Sequence, residues 1–313
     1  MAYESAFMER RIKMKNYLSI DIGGTNVKYA ELDNAGQIIK KEKVNTIHDK
    51  EQFLSEIDKI VAEYVDKGVK GIAFCAPGKI VKTEIHFGGA LPFLDGIDFA
   101  KRYKKYNLPV AVINDGKASV LAENWFGSLK DMKNCASITL GTGLGGGIIV
   151  NGKILNGAHY QAGEVSFLNL DVNAKGFDGF SGSLGSAVGM ISKINKALGN
   201  KDETDGLAAF KAINDGDETA LKIFNEFCHI VAVVILNMQA VVDLDVIAIG
   251  GGISAQPIVV KGINEAYDKL LDDNPLVKNT FTRPEIVDTK FKNNANLYGA
   301  LYNLLIHVNG EKL

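Results

Sequence analysis

The chain has 313 residues, 46% of them hydrophobic and 23% charged, with a formal net charge of −2. That length suits two lobes and a sizeable core, while the balanced charge leaves no electrostatic footprint for nucleic acid. No uninterrupted apolar run reaches the ~18 residues that a bilayer crossing needs, so no membrane span is expected. The three cysteines, Cys75, Cys135 and Cys228, lie far apart in apolar surroundings. They make no disulfide framework and no C-x-x-C knuckle, which fits a reducing cytoplasm.

Residues 1–13 are charged and irregular, and Glu9-Arg10-Arg11 leads into no apolar stretch of the secretory type. This segment is expected to be an extension outside the fold. Residues 18–32 read as strand, turn, strand. An apolar run carries Asp21, Gly23-Gly24-Thr25 turns the chain, and a second run leaves it. A turn at 33–36 leads to a third strand at 37–40. Residues 50–66 place Phe53, Leu54, Ile57, Ile60, Val61 and Tyr64 at helical spacing, and Gly68 stops the helix. Residues 69–76 read as a buried strand closed by Pro77-Gly78. Strand, helix and strand in alternation predict an α/β lobe. An irregular loop holds Gly88-Gly89-Ala90, a short basic helix covers 98–106, and a strand covers 108–113. Asp115 follows, where the strand ends and a helix begins. It suits a helix N-cap, and it also suits a ligand-facing carboxylate at the carboxyl end of a strand.

The most concentrated signal is Gly141-Thr142-Gly143-Leu144-Gly145-Gly146-Gly147, between two apolar runs within 138–150. Glycines permit positive φ and let backbone N–H groups approach a ligand, and a concave row of N–H groups binds phosphate. Gly141, Gly143 and Gly146 match G-x-G-x-x-G, but a dinucleotide turn requires a helix after it. Here Asn151-Gly152, a hairpin turn signal, follows the second run. The loop is therefore expected to join two strands. A third glycine turn, Gly250-Gly251-Gly252, ends a strand at 246–249. Any one of these turns can be a plain bend, but three that follow buried-type strands predict a nucleotide site. The two similar hairpins predict an internal duplication with two lobes facing each other. Glu164, in Ala162-Gly163-Glu164, reads either as a solvated loop carboxylate or as a ligand contact. Residues 176–189 are rich in Gly and Ser. Helices at 183–198, 205–213, 217–242, 257–271 and 296–308 and a strand at 285–289 complete the pattern. The run 230–242 is expected to be a buried helix, and the last helix to pack back on an earlier lobe.

In this order and spacing the motifs resemble those of the ROK group (repressors, open reading frames and sugar kinases) among the actin/hexokinase-like phosphotransferases. The resemblance spans almost the whole chain from Lys15 onward. It implies a two-lobed α/β actin/hexokinase-like (ribonuclease H-like) ATPase fold with duplicated β-sheet cores. The lobes would be 14–115 with 293–313, and 116–292. Asp21, Gly23, Gly24, Thr25 and Lys28 resemble the first phosphate motif, and residues 71–78 with their Ala-Pro-Gly ending resemble the next strand-turn. Gly141, Thr142, Gly143 and Gly145 lie in the likeness of the second phosphate motif, and Gly250, Gly251 and Gly252 in that of the adenosine turn. Asn114-Asp115 resembles the Asn-Asp pair whose Asp is the catalytic base, and Ala162-Gly163-Glu164 resembles the sugar-binding segment.

The resemblance therefore implies ATP and Mg²⁺ as cofactors, with Asp21 organising the metal through water. It implies Asp115 as base, and Gly89, Asn114, Asp115, Glu164 and Phe167 at the sugar. It also implies a cytoplasmic homodimer without nucleic-acid partners. Three departures matter. Val165-Ser166-Phe167 stands where the family has x-Gly-His after Gly-Glu. No cysteine cluster follows, so no zinc site is expected, and Lys117 stands where a second Asn is common. The zinc-free pattern and Gly88-Gly89-Ala90 are similar to the β-glucoside kinase branch, which implies phosphorylation of a hexose or β-glucoside at its 6-hydroxyl. N-acetylmannosamine kinase and glucokinase are the alternatives within the family. A non-catalytic, sugar-responsive regulatory protein is the alternative of another class. The residues ahead of Asn16 are too few for a helix-turn-helix, which disfavours a repressor.

Overall fold

A computed structural model describes residues 15–310; the 1–13 extension falls outside the described residues. Internal contacts divide the chain into two compact units. One takes the described residues up to Ala118 and from Asn296 onward, and the other is Ser119–Ala295.

The first unit opens with the antiparallel meander β1 (Asn16–Ile22), β2 (Asn26–Asp33) and β3 (Ile38–Asn45). Helix α1 (Lys50–Asp66) follows, its N-terminus closed by Asp49, whose Oδ1 accepts from the Gln52 N–H at 2.9 Å. Its six expected apolar residues are all buried, and Gly68 takes a left-handed φ of 87° just past its end. Next come β4 (Ile72–Ala76), a small hairpin of β5 (Lys79–Val81) and β6 (Glu84–His86), α2 (Phe99–Arg102) and β7 (Val110–Asn114). The sheet order is β3-β2-β1-β4-β7, with β1, β4 and β7 parallel.

Helix α3 (Asp115–Phe126) leads to the second unit, which repeats this plan. β8 (Cys135–Leu140), β9 (Leu144–Val150) and β10 (Lys153–Ile154) form its meander. Asn151 and Gly152 turn the chain between β9 and β10 with φ of 52° and 74°, as the hairpin signal predicts. A 3₁₀ turn (Val165–Phe167) and helices α4 (Ser181–Leu184), α5 (Ala187–Ala197), α6 (Gly206–Asp215) and α7 (Glu218–Val242) follow. After them come β11 (Val246–Gly251), α8 (Pro257–Asp272), α9 (Pro275–Thr280) and β12 (Glu285–Asp288). This sheet runs β10-β9-β8-β11-β12, with β8, β11 and β12 parallel. Counting only the strands within each sheet, the order is therefore third, second, first, fourth, fifth in both, and the expected duplicated α/β cores are present. The last helix, α10 (Ala295–Asn309), returns to the first unit.

Several local expectations change. The single helix expected over 183–198 is two helices, α4 and α5. Gly185 lies against Leu144 so closely that a Cβ would meet its side chain at 2.9 Å, and Ser186 caps α5 by accepting from Gly189 N–H at 2.9 Å. The 98–106 helix is only one turn, α2, followed by a 3₁₀ turn (Lys104–Tyr106). The β5–β6 hairpin and α9 were not legible as elements. Helix α7 is long and apolar enough to cross a membrane by length and composition, with a mean hydropathy of 1.7 over 18 residues. Its Phe224, Phe227, Val231, Val234, Ile235 and Met238 are part of the core of the second unit.

A buried carboxylate ties α3 to the segment just after β12. Glu123 of α3 is wholly buried, and its two oxygens accept from four donors. These are Ser128 N–H at 2.8 Å, Ser128 Oγ at 3.0 Å, Lys290 N–H at 3.1 Å and Phe291 N–H at 2.9 Å. A buried charge is tolerable only when its lone pairs are answered in this way.

Candidate active site

In the first unit the expected site residues gather at the carboxyl ends of β1, β4 and β7. Asp21 pairs in register with Cys75, and Ala76 with Asn114. This is the edge at which parallel strands present ligands. Asp21 is 5% exposed. Its Oδ1 accepts from Asn296 Nδ2 at 3.0 Å, and its Oδ2 faces Lys28 Nζ at 3.6 Å. Burial pushes its carboxyl above the ordinary carboxylate range, while Asn296, Lys28 and the Cys75 thiol pull it back. Burial and the Asp21 charge together push the Cys75 thiol well up.

Asp115 does not serve as the N-cap. Asn114 does: its Oδ1 accepts from Gly116 N–H at 2.9 Å and from Lys117 N–H at 3.4 Å, and its Nδ2 donates to the Gly78 carbonyl at 3.0 Å. Asp115 occupies the first position of α3, at the helix N-terminus that favours a negative charge. Its carboxylate reaches the surface yet is crowded by protein atoms. That crowding raises its pKa, the Gly116 N–H at 2.8 Å opposes the rise, and the Asp21 charge adds to it. A cap needs only a side-chain oxygen, and the neighbouring residue supplies it.

The turn Gly23-Gly24-Thr25 is tied on both sides. Gly23 N–H donates to the Asn26 carbonyl at 3.1 Å, Thr46 Oγ1 donates to the Gly23 carbonyl at 2.6 Å, and Thr46 N–H donates to the Thr25 carbonyl at 2.9 Å. A Cβ on Gly24 would lie 3.7 Å from Ala90, and one on Gly89 would lie 3.2 Å from Gly78 N. Gly24, Gly89 and Asn114 are therefore neighbours through Ala90 and Gly78.

In the second unit Gly141-Thr142-Gly143 forms a three-residue turn between β8 and β9. Gly141 N–H is taken by the Gly143 carbonyl at 3.0 Å. The Gly141 carbonyl accepts from the first N–H groups of α5, Ala187 at 2.9 Å and Val188 at 3.3 Å. The sequence suggested glycines that supply positive φ and a row of free N–H groups. None of Gly141, Gly143, Gly145 and Gly146 has positive φ, and the Gly141 N–H is already engaged. At Gly146 a side chain would not fit and at Gly143 it would be tight, whereas Gly141 and Gly145 have room for a Cβ. A Cβ on Gly146 would enter the Gly163 carbonyl and meet Val165 at 2.9 Å, and one on Gly143 would meet Ser166 Oγ at 3.1 Å.

Ser166 lies between two expected site residues, Glu164 and Phe167, and fastens their segment to the turn. Its Oγ donates to the Leu144 carbonyl at 2.8 Å and accepts from Leu144 N–H at 3.1 Å. Glu164 is exposed and heads the 3₁₀ turn. Phe167 is 61% exposed, and its ring meets Phe177 edge-on at 5.9 Å; Phe177 stacks on Phe180 at 5.4 Å. A purely core role for Phe167 is thereby ruled out.

Gly251, with φ of 99°, packs so closely on Leu140 that a Cβ would enter its carbonyl, while a Cβ on Gly252 would meet nothing. Gly250 lies against Thr289, whose Oγ1 is 3.2 Å from where a Cβ would stand. Thr139, Ser254 and Thr289 hydroxyls and Asp288 Oδ1 are buried without hydrogen-bond partners at this end of the sheet. Buried polar atoms left in that state call for a polar ligand or bound water. Thr142 also lines a cavity of about 500 Å³ with Phe177, Ser183, Met190, Lys193 and Glu226; Gly250, Gly251 and Gly252 are not among its walls.

Among the described residues no three His, Cys, Asp or Glu side chains converge as a metal cage. The donors at Asp21 suit Mg²⁺, which uses one or two carboxylates and keeps much of its water. Asn296, Cys75, Ser166 and Glu123 were not legible as site or support residues. The one available signal was Asn296 at the start of an apolar helix, which is ordinary helix-start composition.

The sequence pattern of the ROK family matches residues 17–306. A β-glucoside kinase of Listeria innocua is 30% identical, over 92% of this chain and 96% of its own. A glucokinase of Halalkalibacterium halodurans is 28% identical, over 80% and 85%. The crystal structure of a ROK family protein from Streptococcus pneumoniae in complex with sucrose superimposes with a TM-score of 0.85 at 28% identity, covering 95% of this chain and all of that one. A family pattern over nearly the whole described chain, on the duplicated sheets such proteins share, leaves one assignment: the chain belongs to the ROK family.

Proposed function

We propose that this protein, an alcohol-group phosphotransferase of the sugar-kinase class, transfers the γ-phosphoryl group of ATP to the 6-hydroxyl of a β-glucoside. The observation that carries the choice of sugar is the exposed Phe167. An aromatic face offers apolar contact to a ring or aglycone on the anomeric carbon, and it leaves a free anomeric hydroxyl unpaired, at a cost of about 1–3 kcal/mol. The β-glucoside kinase relative and the sucrose-bound neighbour support a substrate with a substituted anomeric carbon.

Asp115 takes the proton of the 6-hydroxyl as its oxygen attacks the γ-phosphorus and ADP departs. Asn114, Gly89 and Glu164 bind sugar hydroxyls. Gly23, Gly24, Thr25 and Lys28, and the glycine-rich residues Gly141, Thr142, Gly143 and Gly145, are the candidates for phosphate oxygens. Gly250, Gly251 and Gly252 receive the adenosine. Such transfers pass through a loose, charge-rich transition state, so positioning and neutralisation carry most of the catalysis. Mg²⁺, when bound near Asp21 through water, supplies charge neutralisation on the phosphates. The enzyme works in the cytoplasm as a homodimer.

The test is ADP release over a panel of a β-glucoside, glucose and N-acetylmannosamine, on the native protein and on Phe167→His. The expected ranking places the β-glucoside first, and the His variant shifts the ratio towards free glucose about tenfold. A native preference for glucose or N-acetylmannosamine, unchanged in the variant, would reassign the substrate. Sugar binding without ADP release on any sugar would make the protein a regulatory binder instead.

A further inference from the structure

We propose that Asn296 is the positioning residue for Asp21: it holds that carboxylate in the orientation phosphoryl transfer needs, from the first turn of the last helix. The proposal rests on the role of Asp21 given above.

Residues two apart on a strand face the same side, so Ser19 and Asp21 of β1 point together. Both grip the start of α10. Ser19 Oγ donates to the Leu297 carbonyl at 2.7 Å, and Asn296 Nδ2 donates to Asp21 Oδ1 at 3.0 Å. The helix cannot slide along this face. Gly299 lies on the Ala118 carbonyl with no room for a Cβ, Asn303 Nδ2 reaches the Val112 carbonyl at 3.4 Å, and Leu297 and Leu301 are wholly buried. Asn296 is thus a fixed donor, brought to Asp21 across 275 positions of sequence. Lys28 holds the other oxygen at 3.6 Å.

A carboxylate accepts about four hydrogen bonds, so an acceptor site remains for water or ligand after the contacts from Asn296, Lys28 and Cys75. The terminal torsion of an Asp is broad and roughly two-fold. With Oδ1 released, the plane of the carboxylate would be left to Lys28 and the Cys75 thiol, and the remaining acceptor site would swing away.

Two variants test this. Asn296→Ala removes the donor, and Asn296→Gln keeps an amide on a longer arm. The first readout is the split between kcat and sugar KM. The second needs no turnover: calorimetric affinity for ADP with Mg²⁺ and with EDTA. For Asn296→Ala we expect kcat to fall about tenfold, the scale of one hydrogen bond to a charged group. Sugar KM should stay within about twofold. ADP binding should weaken only where Mg²⁺ is present, and Asn296→Gln should recover part of both losses. Unchanged Mg²⁺-dependent ADP binding would overturn the proposal. So would an equal loss in kcat and sugar affinity with a lowered Tm, which marks a structural role. A native protein that releases no ADP on any sugar would refute the kinase reading instead, while the calorimetric comparison would still decide on Asn296.

Discussion

The two glycine turns occupy the same place in their sheets and carry different chemistry. Each follows the first strand of its unit, and that strand sits between an antiparallel second strand and a parallel fourth in both. Two residues before the first glycine, the first unit has Asp21 and the second has Thr139. Asp21 is held by Asn296 and Lys28. The Thr139 hydroxyl is buried with no partner. The first turn is tied down by a threonine just past the last strand of its own meander, Thr46. The second is fastened by the start of α5 and by Ser166. Duplication thus supplied one backbone twice, and only the first copy placed a carboxylate, Asp21, at the end of its first strand; the second unit carries its strand-end carboxylate, Asp288, on β12. If that contrast is right, the first unit should be sensitive in activity and the second in packing.

The largest expected effect is on Asp115. Asp115→Asn should lower kcat by about 10²–10⁴-fold, the range for loss of a general base, with sugar KM little changed. Stability should move the other way. Folding raises the pKa of Asp115, so the folded state binds its proton more readily than the unfolded chain does. Its ionisation therefore opposes folding above the ordinary carboxylate pKa of about 3.9, and stability rises as pH falls through the window just above that value. Asp115→Asn should accordingly keep or raise Tm at pH 7. The base works only when ionised, so kcat should fall with pH through that same raised value. A variant with near-native kcat, or an acidic limb at an unshifted carboxylate pKa, would remove Asp115 from the chemistry.

Next in size is Gly146→Ala. Its Cβ would press into the Gly163 carbonyl and Val165, both held by the segment that Ser166 fastens. Overpacking of this kind costs roughly 1–3 kcal/mol. Urea unfolding should show a lower midpoint at unchanged slope. A midpoint equal to that of the native protein would mean that β9 tolerates a side chain at this position, and the packing account of Gly146 would fail.

The smallest effect is expected at Thr139, the counterpart of Asp21. Thr139→Val removes a buried hydroxyl that has no partner, so stability should be unchanged or rise by up to about 1 kcal/mol. A loss larger than that, measured in the same unfolding assay, would show that a bound water or ligand answers the hydroxyl. The two turns would then be more alike than their side chains suggest.

Periodicity and turn chemistry made much of the architecture legible. The apolar stripe of α1, the Asn151-Gly152 hairpin, the meanders and the repeated strand–turn–strand unit are all local patterns, and local patterns survive in a one-dimensional reading. The same holds for Asp21, Asn114 and Asp115, each placed by its position at the end of an apolar strand. Some features depended on what lies beside a residue in space. Gly185 and Ser186 broke a helix because Leu144 crowds the first and Gly189 uses the second as its cap. Asn114, not Asp115, became the cap because its side chain could reach Gly116 N–H and the Gly78 carbonyl at once. Gly143 of the second turn is crowded by Ser166 and Gly146 of β9 by Gly163 and Val165, all more than fifteen positions away. Asn296 gained its partner only when α10 returned to β1. What the sequence by itself determined was the main strands and helices of the two sheets and the positions of the two carboxylates, because helical and strand periods and turn propensities act over a few residues. Only the tertiary structure decided which groups those carboxylates touch and which glycines have no room for a side chain, because contacts between distant segments exist only once the chain has folded.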